Sequence, residues 1–155
     1  MERMIILCML FFCSSTGLTA APHKIVTYKQ LLKTINVLQT TVKDTDVELL
    51  HTPENPVDGC IFMALTCFQH GALKLQPENS QVNSTFIQTL KTLKKFTFRN
   101  TGTCESSCES HEKKKPKVFL TSFANLVRKV IRADSCWVLF NILQTITAIF
   151  ILHRF

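Results

Sequence analysis

Cys60-Ile-Phe-Met-Ala-Leu-Thr-Cys67-Phe-Gln-His-Gly-Ala-Leu-Lys74 is the stretch on which the fold turns. Ile61, Ala64, Leu65, Phe68 and Leu73 return at near-helical intervals, with Cys60 beside them. That spacing predicts a one-faced helix from about Asp58 to Leu75, capped by Asp58 or a neighbour. Cys60 and Cys67 then share a face but stand about 10 Å apart along the axis. They are too far apart to bond to each other. Cys104 and Cys108 lie in a long loop-like stretch, and four extended residues cover about 13 Å. The two spacings nearly match, so two bridges can staple that stretch along the helix. Spacing alone leaves open which cysteine meets which. Pairing Cys60 with Cys104 would close a loop of some 45 residues, worth about 4 kcal/mol in a chain-entropy model. The rival reading makes zinc ligands of Cys67, His70, Cys104, Cys108 and His111.

The same period continues on both sides. Ile25, Tyr28, Leu31, Leu32, Ile35, Leu38 and Val42 predict a first helix over about 24–43. Val82, Phe86, Ile87, Leu90 and Leu93 predict a third over about 80–96. Pro116, well suited to a first helical turn, opens a fourth. That helix carries Phe119, Leu120, Phe123, Leu126, Val127, Val130 and Ile131 on one side. No run alternates long enough to argue for a sheet. A handful of residues around Gln76-Pro77-Glu78-Asn79 joins helices two and three, whereas the other links, about 44–57 and 97–115, are long. Two long crossovers around one short turn describe an all-α, up-up-down-down four-helix bundle. Plain antiparallel helices with idle loops are the alternative.

The ends differ from this middle. Arg3, the apolar run Met4 to Cys13 and the small or polar residues Ser14 to Ala21 follow the order of an export signal. The expected division is a signal peptide over 1–20, a helical domain over 22–132 and an apolar tail over 133–155. Cys8 and Cys13 leave with the signal, and the other cysteines meet an oxidising lumen, which disfavours zinc. Ser135 to Leu152 is eighteen residues without a charge. It is open to three readings: a membrane span, a lipid-anchor signal, or a continuation of the last helix with a polar stripe at 141, 144 and 145 and the rest buried. Cys136 is the odd thiol, free, paired between chains or buried in lipid.

Charge is uneven. From Lys74 to Arg132 there are twelve basic and four acidic residues; from Pro22 to Leu73 there are four and five. Lys91, Lys94, Lys95 and Arg99, then Lys113-Lys114-Lys115-Pro116-Lys117, form the basic part. An acidic receptor face or a sulfated polysaccharide such as heparan sulfate suits it. A solvated loop explains the second run equally well. No aromatic-interleaved or groove-reading pattern points to nucleic acid. Asn83-Ser84-Thr85 is a glycosylation sequon. No His-Glu-x-x-His, Gly-x-Ser-x-Gly or phosphate-cradling glycine string occurs, and the five histidines are scattered. The expectation is a monomeric binding protein with no catalytic residue, no metal and no cofactor. A basic effector that binds glycans or membranes without a dedicated receptor is the alternative.

Two blocks carry a family resemblance. Cys104-Glu-Ser-Ser-Cys108-Glu-Ser-His-Glu-Lys-Lys-Lys-Pro116-Lys-Val-Phe119-Leu120 resembles the interleukin-21 family, and so does the block from Cys60 to Lys74. Gln30-Leu31-Leu32 through Val42-Lys43-Asp44 is similar to that family's first helix. The likeness runs from about Lys24 to Ile131, and interleukin-2 and interleukin-15 share the general plan. It implies a secreted short-chain cytokine that bridges a private receptor and the common gamma chain to start JAK–STAT signalling in lymphocytes. It also implies the bridges Cys60–Cys104 and Cys67–Cys108. For receptor contact it implies Lys29 and Gln30 on the first helix, Lys91 and Lys94 on the basic third helix, and Arg128 and Ile131 on the last. Ile131 matches a common-chain contact position. Thr27 and Lys33 depart from the family pattern, and Arg128 stands where glutamine is usual. The family has two residues between its last two cysteines and this chain has three, Glu105, Ser106 and Ser107.

Overall fold

The computed structural model describes residues 24–78, 84–98 and 104–153. Four helices dominate it: α1 over 24–41, α2 over Ile61–Ala72, α3 over Ser84–Lys94 and α4 over Pro116–His153. A 3-10 turn at Asp58–Cys60 runs straight into α2, and another sits at Cys108–Ser110. The chain is an all-α four-helix bundle, as the apolar spacing predicts. Two short strands, β1 at Leu50–His51 and β2 at Lys113–Lys114, pair antiparallel. Two residues are too few to display a period of two, so sequence gave no warning of this ladder.

The described residues fall into two compact units. The first is Gln30–Lys129. Its buried core takes Leu31, Ile35 and Leu38 from α1, Leu65, Phe68 and Ala72 from α2, and Phe86 and Leu93 from α3. Phe119, Leu120, Phe123 and Val127 complete it from α4. Phe68 lies parallel to Phe123 with ring centroids 4.9 Å apart, and tilted against Phe119 at 5.1 Å. Such pairs add about 0.5–1.5 kcal/mol beyond the area they bury. Gly71 lets α2 approach this cluster: a Cβ there would stand 2.8 Å from the Phe119 ring.

Helix directions follow from the end contacts. Just past α1, Val42 bridges Pro77, which lies just past α2; Lys43 N–H donates to the Gln76 carbonyl (2.8 Å) and Glu78 N–H to the Thr41 carbonyl (2.9 Å). The two helices therefore finish side by side. The Lys117 backbone N–H in the first turn of α4 donates to Asp44 Oδ1 at 2.8 Å, so α4 starts where those two end. Gln39 and Thr121 meet at 3.2 Å near the same end.

Several boundaries move. α2 begins at Ile61, and its N-cap Cys60 makes no side-chain capping bond. Leu73 is exposed, because the helix ends at Ala72 and Leu75 takes the buried place instead. Ile87 is exposed as well: Phe86 and Leu93, seven positions apart, set the inner line of α3, and Ile87 lies about 100° off it. Val82 lies outside the described residues.

The second unit comprises 24–29 and 130–153. Lys24 Nζ pairs with Asp134 Oδ1 at 3.4 Å, and Tyr28 is buried. From Asp134 onward α4 continues without a break, a helix that both the continuation and the membrane-span readings of the tail require. The expected burial is not met. Trp137, Leu139, Phe140 and Leu143 are exposed, since no other described element covers them. Among the described residues, no helix is long and apolar enough to cross a membrane.

Candidate functional site

The chemistry of this chain lies in its two long connections and in the helix faces they leave open. Cys60 is bonded to Cys104 and Cys67 to Cys108, with Cα atoms 5.1 and 5.5 Å apart. This is the pairing that the family resemblance implies. With both sulfur pairs consumed as disulfides, the zinc reading is overturned: its cysteine ligands are not thiolates. The bridges pin the last connection along α2, 104 beside the helix start and 108 one to two turns on. Each spans about 40 residues of chain (sequence separations 44 and 41), where loop closure is worth about 4 kcal/mol for the first bridge and less for its neighbour.

The pinned connection is also held to the first one. Leu50 and His51 pair with Lys114 and Lys113. Thr52 N–H donates to the Glu112 carbonyl at 2.8 Å. His51 Nδ1 lies 2.8 Å from the His111 carbonyl oxygen, so its Nδ1 carries the proton that bonds there. Lys114 Nζ reaches Glu54 at 2.8 Å, and Ser122 in α4 donates to the same carboxylate at 3.2 Å. The Lys114 hydrogen bond holds the Glu54 carboxyl below its usual range, and the reciprocal bond raises Lys114. Of the basic run, Lys114 is therefore a structural tie. Lys113, Lys115 and Lys117 are exposed and form no ion pair among the described residues.

Six further positions are those expected to meet receptors. Lys29 and Gln30 are exposed on α1, and Lys91 and Lys94 are exposed on α3. Arg128 and Ile131 on α4 are half-buried, with Arg128 donating to Asn125 Oδ1 at 2.9 Å. Among the described residues, no hydrogen bond or ion pair joins one of these six to another. Gln30, Lys91, Lys94 and Arg128 belong to the larger unit, Lys29 and Ile131 to the smaller. The sequon residue Asn83 and the signal segment 1–20 lie outside the described residues. Cys136 is free and exposed.

Sequence reading passed over three residues that set this geometry. Gln69, buried on α2, donates through Nε2 to the carbonyls of Leu93 (2.8 Å) and Phe96 (2.7 Å) and so satisfies the end of α3. Its position four after Leu65 was the available signal. Asp44 caps α4 from the far side of the first connection. Glu54 fastens that connection to Lys114 and Ser122. Neither acid carries a local motif, because its partner is distant in sequence.

The family model for Interleukin 15 matches residues 8–132, which include all of α1, α2 and α3 and the first half of α4.

Proposed function

The chain belongs to the Interleukin 15 family, and from that premise we propose that it is an exported cytokine of the interleukin-21 type. Membership makes it a signalling protein of the interleukin-2/interleukin-15 kind that binds cytokine receptors. The finer reading is that it bridges a private type I receptor and the common gamma chain, bringing their associated JAK kinases together and activating STAT proteins in lymphocytes.

The observation that carries this reading is the pair of bridges Cys60–Cys104 and Cys67–Cys108, the cysteine plan by which the chain resembles the interleukin-21 type. The physical logic is straightforward. A ligand that joins two receptors must present two faces at fixed separation, and a loose crossover would cost ordering entropy at each encounter. Here two bridges fasten Cys104 and Cys108 of the crossover to α2 before any receptor arrives. The private receptor takes the exposed Lys29 and Gln30 of α1 and Lys91 and Lys94 of α3, whose ammonium groups meet an acidic surface and speed encounter. The common chain takes the last helix around Arg128 and Ile131.

The test is STAT phosphorylation in cells carrying the private receptor, the common gamma chain, or both. Signal only where both are present supports the proposal. Silence in doubly positive cells, given a folded and fully oxidised sample, contradicts it. Lys113, Lys115 and Lys117, exposed and without an ion pair among the described residues, favour a second contact with heparan sulfate. That contact predicts retention on heparin that weakens steeply as salt rises above about 0.15 M.

A further inference from the structure

The family match ends at residue 132, but α4 does not. From Ser135 to Leu152 the chain has no charged residue. Trp137, Leu139, Phe140 and Leu143 are 59–66% exposed, and Ile142 and Ile146 are exposed too. At 100° per residue these six positions span about 220° of the helix circumference, and the remaining face holds the half-buried Val138, Asn141 and Thr145. A second copy or a protein groove covers one face of a helix and leaves the others wet. A medium that covers an apolar sector this wide at once is hydrocarbon.

Four polar residues of the segment fit that medium, whereas the exposed Gln144 side chain donates no hydrogen bond among the described residues. Asn141 Nδ2 donates to the Trp137 carbonyl (2.8 Å), Thr145 Oγ1 to the Asn141 carbonyl (2.8 Å), and Thr147 Oγ1 to the Leu143 carbonyl (2.9 Å). Ser135 Oγ donates to the Ile131 carbonyl at 2.8 Å. A donor turned back onto its own helix carries no unmade hydrogen bond into lipid, where such bonds are most costly to leave open. The order along α4 is also that of a bilayer edge. Lys129 and Arg132 are exposed, the one acid between them and the apolar segment is paired with Lys24, and Trp137 follows before the aliphatic residues. Cations suit anionic headgroups, and tryptophan suits the interface.

We infer that α4 from Trp137 onward enters the hydrocarbon of a lipid bilayer and holds the bundle at a membrane surface. At 1.5 Å per residue, 135–152 reaches about 27 Å, so the helix enters from one side without needing to emerge from the other. This inference is independent of which receptors the bundle engages.

Trp137 is the only tryptophan, so its fluorescence reports on this segment alone. The oxidised full chain is mixed with vesicles of phosphatidylcholine, with and without phosphatidylserine. The expected result is a blue shift of emission, quenching by lipids brominated in the acyl chain, and flotation that survives high salt. Phosphatidylserine strengthens capture at low salt only. Leu139→Lys with Leu143→Lys should lower partitioning by at least about tenfold, given the cost of lysine in hydrocarbon. Emission that both kinds of vesicle leave unchanged, in a sample with native helicity, would overturn the inference. So would flotation undiminished in the double variant. A concentration-dependent dimer in lipid-free buffer that shields Trp137 and ignores vesicles would assign the surface to a second copy instead.

Discussion

Asp44 caps a helix that starts far beyond it in the chain: its Oδ1 accepts the backbone N–H of Lys117, 73 residues on, at 2.8 Å. A carboxylate at a helix N-terminus satisfies an orphan donor and faces the positive end of the helix dipole. Asp44→Ala should lower unfolding free energy by about 1 kcal/mol, and Asp44→Asn by less. Denaturant melts of the two variants, with unchanged slope, check this. Equal losses would mean that the cap is not made.

Gly71→Ala should destabilise despite the better helix propensity of alanine. The new methyl would stand 2.8 Å from Phe119, whose ring is fully buried and packed on Phe68. Overpacking of this kind costs about 1–3 kcal/mol, against a propensity gain of about 1 kcal/mol. A thermal melt showing stabilisation would contradict the close approach of α2 to α4.

Tyr28, the only tyrosine, should titrate above 10.0, because burial disfavours the phenolate and the Asp134 carboxylate adds repulsion. With the folded pKa raised, stability from this group is fully present below the unfolded pKa and is lost as pH rises through the folded one. Ultraviolet titration reads the midpoint directly. Asp134→Asn should bring it part of the way down, and an unchanged midpoint would remove Asp134 as a cause.

Much of this architecture is legible in the residues, for physical reasons. Burial of Leu31, Ile35 and Leu38, or of Phe119, Phe123 and Val127, follows from a period that any one-faced helix must have. The start of α4 at Pro116 follows from a proline that lacks an N–H to donate. The crossover pinned to α2 follows from matched cysteine spacings, although the partner choice came through family likeness. What stayed hidden is contact between distant polar groups. Gln69 at the end of α3, Glu54 beside Lys114, and the two-residue ladder of Leu50 and His51 with Lys114 and Lys113 leave no periodic trace. The exposed end of α4 stayed hidden for a different reason: an uncharged run looks alike whether protein or lipid covers it.

Charge on α3 separates recognition from folding. Lys91→Glu with Lys94→Glu should reduce potency in STAT phosphorylation by at least about tenfold, since reversed charges at a complementary interface repel. Both side chains are exposed in the last turns of α3, so stability should fall only slightly through the lost dipole interaction. Full potency in the double variant would move the private-receptor contact elsewhere.

The central physical claim is that the last crossover is fastened to α2 by two defined bridges before any partner binds. Peptide mapping of the protein without reduction, by mass spectrometry, reads those bonds directly. The account predicts one linked pair containing Cys60 and Cys104, a second containing Cys67 and Cys108, and Cys136 outside both. Free thiols at those four positions, or Cys60 joined to Cys108, would contradict it.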